Sequence, residues 1–271
     1  MKAPRPAPAP IRPLPCCRAG VEAVVADTAR AFGRHVHDEF GIGLIMRGAQ
    51  RSASGRGPVE AGAGDLLTVN PGEVHDGLPI DAAGRAWRML YLAPALVDEL
   101  AQDIGRAGFE FHDPAFRDIR LARLFPSVFS AMTGEDALGA EQQLLLLLAG
   151  LLKRQRQVPR ADEAPGIAAA RSRIDDEPAA ALTLAELARE AGLSRWQLLR
   201  GFAAATGLTP HAYLMQRRLH RARALIAAGH DLAHAAADSG FADQSHMTRL
   251  FTRSFGFAPG AWAAAISFKT G

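Results

Sequence analysis

Cysteine is almost missing from this 271-residue chain: Cys16 and Cys17 are the only two, and they are neighbours. Adjacent cysteines rarely bridge each other, so a disulfide framework is excluded. Long apolar runs are missing as well. The longest, Leu144 to Leu152, is about half of the roughly 18 residues that span a bilayer, so no membrane partner is expected. The proline- and alanine-rich start lacks the continuous apolar stretch of a secretory signal, and residues 1–20 read as a disordered leader. A cytoplasmic protein is the default expectation. No Walker loop, dinucleotide fingerprint or nucleophile elbow occurs. Gly62-Ala63-Gly64-Asp65 is a turn before a strand, so the chain reads as a non-enzyme with no catalytic residue and no cofactor.

Net charge is small overall but unevenly placed. The formal charge is +3, yet residues 182–271 carry ten Lys or Arg against five Asp or Glu. The remainder is slightly acidic. A basic C-terminal module suggests an anionic polymer as a partner.

What is present falls into two parts. Ile42–Met46, Leu66–Val69 and Trp87–Leu92 have the look of strands, separated by glycine turns, and suggest a small β-barrel or sandwich. After Pro94 the spacing becomes helical through Leu96, Val97, Leu100 and Ile104. A second helix is expected after Pro114, through Phe116, Ile119, Leu121 and Leu124. A third contains Leu144–Leu152, apolar on nearly every side, and must be buried in the core or against a second subunit. Residues 153–166, KRQRQVPRADEAPG, are charged and hold two prolines. They read as a linker between residues 21–152 and residues 167–271.

The C-terminal part contains an internal repeat. Gly207-Leu-Thr-Pro-His-Ala-Tyr213 recurs as Gly256-Phe-Ala-Pro-Gly-Ala-Trp262, offset by 49 positions. Before each copy lie two short helical stretches joined by a glycine-containing turn, the helix-turn-helix pattern. The first pair is Leu184–Ala188 and Ser194–Ala205; the second is Leu232–Ala237 and Asp243–Ser254. Gly192 and Gly240 suit the left-handed end of a first helix, and Ser194 and Asp243 suit the cap of the next. Leu198 with Phe202, and Met247 with Phe251, are inward pairs at i, i+4. The other faces carry Arg195, Trp196, Gln197 and Arg200 in one copy and Gln244, Ser245, His246, Thr248 and Arg249 in the other. Those nine are the candidate contacts to double-stranded DNA. Between the units, Pro210 opens a helix whose Arg217, Arg218, Arg221 and Arg223 read equally as phosphate clamps, a solvated face or internal salt bridges.

These residues carry a resemblance. Leu184-Ala-Glu-Leu-Ala188, Gly192-Leu-Ser194, Gly207, Arg218, Gly240-Phe-Ala-Asp-Gln-Ser245, Phe255-Gly256 and Pro259 resemble the DNA-binding domain of AraC/XylS-family regulators. The segment from Gly64 to His75, with His35-Val-His-Asp-Glu39 before it, is similar to the cupin-like effector domain of that family. The resemblance implies an α+β chain: an N-terminal cupin-like β-barrel followed by helices, then an all-α domain with two helix-turn-helix units. It implies a transcription regulator, commonly an activator, with a small-molecule effector, a homodimer through the helices after the barrel, and RNA polymerase as a further partner. His35, His37, Glu39 and His75 have the residue types and order of a cupin metal site, but the same groups orient an organic effector or line a polar mouth. Effector contact without metal is the reading adopted. Two alternatives stay open: a DNA-binding protein whose barrel only dimerises, and a metal-dependent cupin enzyme fused to a DNA-binding module.

Overall fold

The structure is a computed structural model that describes residues 11–104, 109–152 and 164–267. Residues 1–10 of the expected leader and 153–163 of the expected linker lie outside the described residues. Contacts divide the chain into two compact units, one including residues 11–33 and 37–152 and the other including residues 34–36 and 164–263.

The first unit begins earlier than the sequence suggested. β1 (Arg12–Leu14) pairs antiparallel with β2 (Val21–Thr28), and Ile11 and Cys16 are buried. The expectation of a disordered leader reaching residue 20 is therefore corrected, because paired backbone and apolar burial hold residues 11–20. The chain continues through β3 (Phe32–His35), β4 (Phe40–Arg47), β5 (Ala49–Ser54), β6 (Gly57–Gly62), β7 (Leu66–Val69), β8 (His75–Pro79) and β9 (Arg85–Leu92). Three helices and a short strand follow: α1 (Pro94–Asp103), β10 (Ala115–Phe116), α2 (Ile119–Met132) and α3 (Ala137–Leu152). A six-stranded sheet has the order β1-β2-β9-β4-β7-β10, and a four-stranded sheet the order β3-β8-β5-β6. This is the expected β-rich, cupin-like domain followed by helices.

Side chains alternate across a strand, and β4 shows what each face does. Phe40, Ile42 and Leu44 join Leu90 and Leu92 of β9 in one core with Leu96, Val97, Phe125 and Leu144 of the helices. Gly41 and Gly43 lie on the opposite face, where Met89 fills the space. A Cβ at Gly43 would come within 2.3 Å of the Met89 sulfur, and one at Gly41 within 2.7 Å of the Met89 methyl. Only glycine leaves room for that thioether.

α2 starts three residues later than expected. Phe116 belongs to β10, which pairs with β7. Asp118 sets the start by accepting from the Arg120 and Leu121 amides at 3.0 and 3.1 Å, satisfying two of the first-turn donors. α3 buries Ala140, Leu144, Leu147, Leu148, Leu151 and Leu152. It is not covered all round: Leu138 is 79% and Leu146 53% exposed.

The second unit is helical: α4 (Pro165–Asp176), α5 (Leu184–Glu190), α6 (Arg195–Thr206), α7 (Pro210–Ala227), α8 (Leu232–Asp238), α9 (Gln244–Phe255) and α10 (Pro259–Ser267). Pro165 and Gly166, given to the linker by sequence, instead open α4. Tyr213, Leu214, Leu219, Ala222 and Ile226 of α7 are buried.

Within this unit the four arginines of α7 are braces. Arg218 donates to the carbonyls of Pro178, Ala180 and Gly240 at 2.8, 2.9 and 2.5 Å. Arg217 pairs with Asp175 at 3.0 Å, and Arg221 donates to the Asp238 carbonyl at 2.9 Å. Arg223 is buried with its guanidinium 4.9 Å from the ring centres of both Phe255 and Trp262. Of the three sequence readings, internal bracing fits all four.

Candidate functional site

Both helix-turn-helix units are closed by local chemistry. Thr183 and Glu186 form a capping box at the start of α5, and Ser194 and Gln197 form one at the start of α6. Each box satisfies orphan donors reciprocally. Gly192 (φ 66°) and Gly240 (φ 80°) take the left-handed conformation between first and second helices, where a side chain would be strained. Gly207 and Gly256 end α6 and α9 in the same way. Asp231 caps α8, and Asp243 caps α9 by accepting from the His246 amide at 2.6 Å. Hydrogen bonds from the His234 backbone and ring hold the Asp231 carboxyl below its usual range and raise the His234 imidazole above its own.

The polar faces of α6 and α9 then follow from what their other faces bury. Leu198 and Phe202, and Met247 and Phe251, are fully buried. Arg195, Trp196, Gln197, Arg200, Gln244, Ser245 and Arg249 are exposed, whereas His246 and Thr248 are half-buried. His246 lies edge-on to Phe241 with ring centres 5.5 Å apart. Trp196 is 64% exposed, which is unusual for so large an apolar ring. The Arg200 guanidinium lies 5.7 Å from its centroid. Gln197 differs from the other candidates, because its Oε1 already accepts from the Ser194 amide at 2.9 Å.

In the first unit, His37 stacks on His75 with ring centroids 5.3 Å apart and planes at 28°, whereas His35 falls with residues 34–36 in the other unit. Two of the four predicted residues are thus brought together within one unit. His75 opens β8 after a turn held by Glu73, which pairs with Arg56 and accepts from the Asn70 amide at 3.1 Å. Burial pushes the His75 imidazole down to about 4, with Arg56 adding to the effect against a hydrogen bond to the Glu73 carbonyl that raises it.

Sequence reading missed Arg85, the first residue of β9. It is 1% exposed. Its guanidinium donates to Gln50 Oε1 at 2.9 Å and to the carbonyls of Arg30 and Gly77 at 2.8 and 3.1 Å, and it lies 4.6 Å from the Trp87 ring centre. Desolvation lowers it to about 10. An arginine two residues before the strand-like run Trp87–Leu92 was the available signal.

Residues 18–149 match the AraC-like ligand binding domain family, and residues 187–265 match a helix-turn-helix domain family. The chain belongs to the AraC family of transcriptional regulators. Similar AraC-family chains include the HTH-type transcriptional regulator YbfI of Bacillus subtilis. It is 29% identical over 224 residues, covering 80% of this chain and 81% of its own. The activator RhaS of Klebsiella pneumoniae is 26% identical over 262 residues, covering 89% and 92%. Among solved structures, an apo ToxT from Vibrio cholerae has a TM-score of 0.60 at 14% identity, over 92% of this chain and 98% of that one. ToxT with a bound unsaturated fatty acid has a TM-score of 0.56 at 13% identity, over 98% of each. At such identities the likeness is one of fold. Among the described residues of this AraC-family chain, no helix is long and apolar enough to cross a membrane.

Proposed function

We propose that this regulator presents α6 and α9 to successive major grooves of one DNA duplex and that a small molecule held by the β-rich domain sets which sites are reached. One observation carries the reading. Two copies of the same fold unit bury Leu198 with Phe202 and Met247 with Phe251, and leave Arg200 and Arg249 exposed at matching positions. α7, between them, has 18 residues. At about 1.5 Å per residue it spans roughly 27 Å, of the order of the ~34 Å between grooves on one face. In this reading Arg195, Trp196, Arg200, Gln244, Ser245 and Arg249 meet the DNA directly, with His246 and Thr248 at the rim.

The effector contacts are drawn from His35, His37, Glu39 and His75. Dimerisation uses the apolar residues that α2 and α3 leave uncovered, Ile119, Leu138 and Leu146. The output is activation, the activity that the name of RhaS gives for that relative, with RNA polymerase as the partner, and the chain works as a regulator rather than an enzyme, in the cytoplasm with its DNA. Effector binding acts by linkage: it shifts the balance between two arrangements only as far as its affinity differs between them.

Selecting bound fragments from genomic DNA, with and without candidate metabolites, tests this. A bipartite motif with half-sites about one helical turn apart is expected. Fragments without a shared motif would overturn it.

A further inference from the structure

Strand β9 turns two faces to different surroundings. Leu90 and Leu92 pack with the helices, so Arg85, Trp87, Met89 and Tyr91, which alternate with them, face the other way. Arg85 shows what lies there: its guanidinium donates to Gln50 of β5 and to the Gly77 carbonyl of β8, both in the four-stranded sheet. The row therefore lines the space between the two sheets.

Two features of that row point to an occupant. The first is a buried charge without a counter-charge. The partners of Arg85 are the Gln50 amide oxygen, two backbone carbonyls and the rings of Phe32 and Trp87, all of them neutral. Desolvation lowers its basicity and no neighbouring charge offsets that. A guanidinium has five N–H groups. Three are used, which leaves one on each Nη without an acceptor among the described residues. A buried cation is costly until an anion pairs with it.

The second feature is bare backbone. Gly41 and Gly43 of β4 lie opposite Tyr91 and Met89, and Met89 occupies the room that their missing side chains leave. Methionine is unbranched and flexible, so this slot is filled by the one pliable apolar side chain of the row. Trp87 joins the two features. It stands two residues from Arg85 and two from Met89, about 7 Å along the strand in each direction. The guanidinium is 4.6 Å from its ring centre, so an anionic group held by Arg85 is one such step from the slot.

We propose that the small molecule of the β-rich domain is an aromatic monocarboxylate, its carboxylate on the two spare N–H groups of Arg85 and its ring in place of Met89 on Gly41 and Gly43. The inference rests on the reading that this domain holds an effector, and it adds the chemical class. A carboxylate supplies the missing negative charge and two acceptor oxygens. A flat ring lies against backbone that carries no Cβ, with Trp87 as an aromatic neighbour. A sugar brings no charge, and an amine brings the wrong one.

Calorimetric titration of the full chain with benzoate, phenylacetate and cinnamate, each beside its neutral amide, tests this. At least one acid should bind with one equivalent, and its amide about tenfold or more weaker. M89A removes the side chain that the ring must displace, so it should bind the same acid more tightly, as a site already open does. R85K keeps the charge without the planar fork and should bind it about tenfold or more weaker. Circular dichroism reports whether the variants fold. Should one unfold, the ratio of acid to amide in the wild type decides. Equal binding of acid and amide, preference for sugars or amines, no saturable binding of any of the three acids, or unchanged binding in both folded variants would overturn the proposal. DNA binding by the acid-free chain is scored separately, so loss of the ligand class leaves the regulatory reading to its own test.

Discussion

Arg200 sits over the indole of Trp196, its guanidinium 5.7 Å from the ring centroid, one helical turn along α6. The pair ties an exposed cation to an exposed aromatic face, so the side chain is partly ordered before it meets a ligand. Such contacts are worth about 0.5–1 kcal/mol at exposed sites. R200A should cost about 1–3 kcal/mol in specific DNA binding and relax preference at one base pair if the guanidinium reads a guanine. W196A should lose its own apolar contact and part of the same base preference. Binding to randomised operators at several salt concentrations checks this: uniform loss with a shallower salt slope would make Arg200 a phosphate contact.

Arg218 makes a different kind of prediction, because its fork is spent inside the protein. Its partners are carbonyls of Pro178, Ala180 and Gly240, so the residue pins the α4–α5 and α8–α9 connections to α7. R218M should leave those carbonyls without their donor and cost the unit about 1–3 kcal/mol. R218K should recover only part, since an ammonium does not reproduce the planar fork. Denaturant unfolding followed by helical circular dichroism measures it.

The repeat, its caps and its glycine turns were legible because they depend on neighbours in sequence. Ser194, Asp243, Gly192 and Gly240 act within three or four residues of where they stand. The arginines of α7 were not legible: acceptors for Arg218 come from 22 to 40 positions away, and a row of arginines looks the same whether it faces phosphate or carbonyls. Strands β5, β6 and β8, with RSAS, GPVEAG and HDGLP in them, lack apolar alternation and gave no signal. For the histidines, residue types and the two-residue spacing of His35 and His37 were visible. His75 was named only through the family resemblance, since the pairing of β3 with β8 is encoded by no local pattern.

Gly43 tests the packing beneath β4. G43A puts a methyl against the Met89 sulfur, and overpacking of this kind costs about 1–3 kcal/mol. Shortening Met89 should relieve part of it, leaving the Arg88 carbonyl 2.9 Å from the new methyl, so G43A combined with M89A should be less destabilised than the two single losses added together. Additive losses in thermal or denaturant melts would assign the cost to the Arg88 carbonyl rather than to Met89.

Tyr213 gives a pH dependence. Its hydroxyl donates to Asp175 Oδ1 at 2.9 Å, and burial, reinforced by the Asp175 charge, raises its pKa well above the usual phenol range. In the unfolded chain the phenol titrates near 10. Above that pH the unfolded state releases a proton that the native state keeps, so stability falls as pH rises. Below it the contribution is constant. Y213F should cost about 1 kcal/mol at neutral pH and show a flatter alkaline decline than the wild type. Parallel declines from pH 9 to 11 would assign the loss to other groups.

Gln197 separates capping from recognition on the same helix. Its side chain closes the box with Ser194, accepting from the Ser194 amide while the Ser194 hydroxyl accepts from its own at 3.2 Å. A residue committed in this way stabilises the start of α6, and Q197A and S194A should each lower stability by about 0.5–2 kcal/mol. Q197E keeps an acceptor at the third helical position and places a negative charge near the positive end of the helix, so it should retain most of that stability. The two roles diverge on DNA. If the cap is the whole role, Q197A weakens binding evenly across operator variants, and Q197E weakens it further through repulsion from phosphate. Altered preference at a single base pair in Q197A, with stability unchanged, would show that the side chain leaves its cap to read the groove.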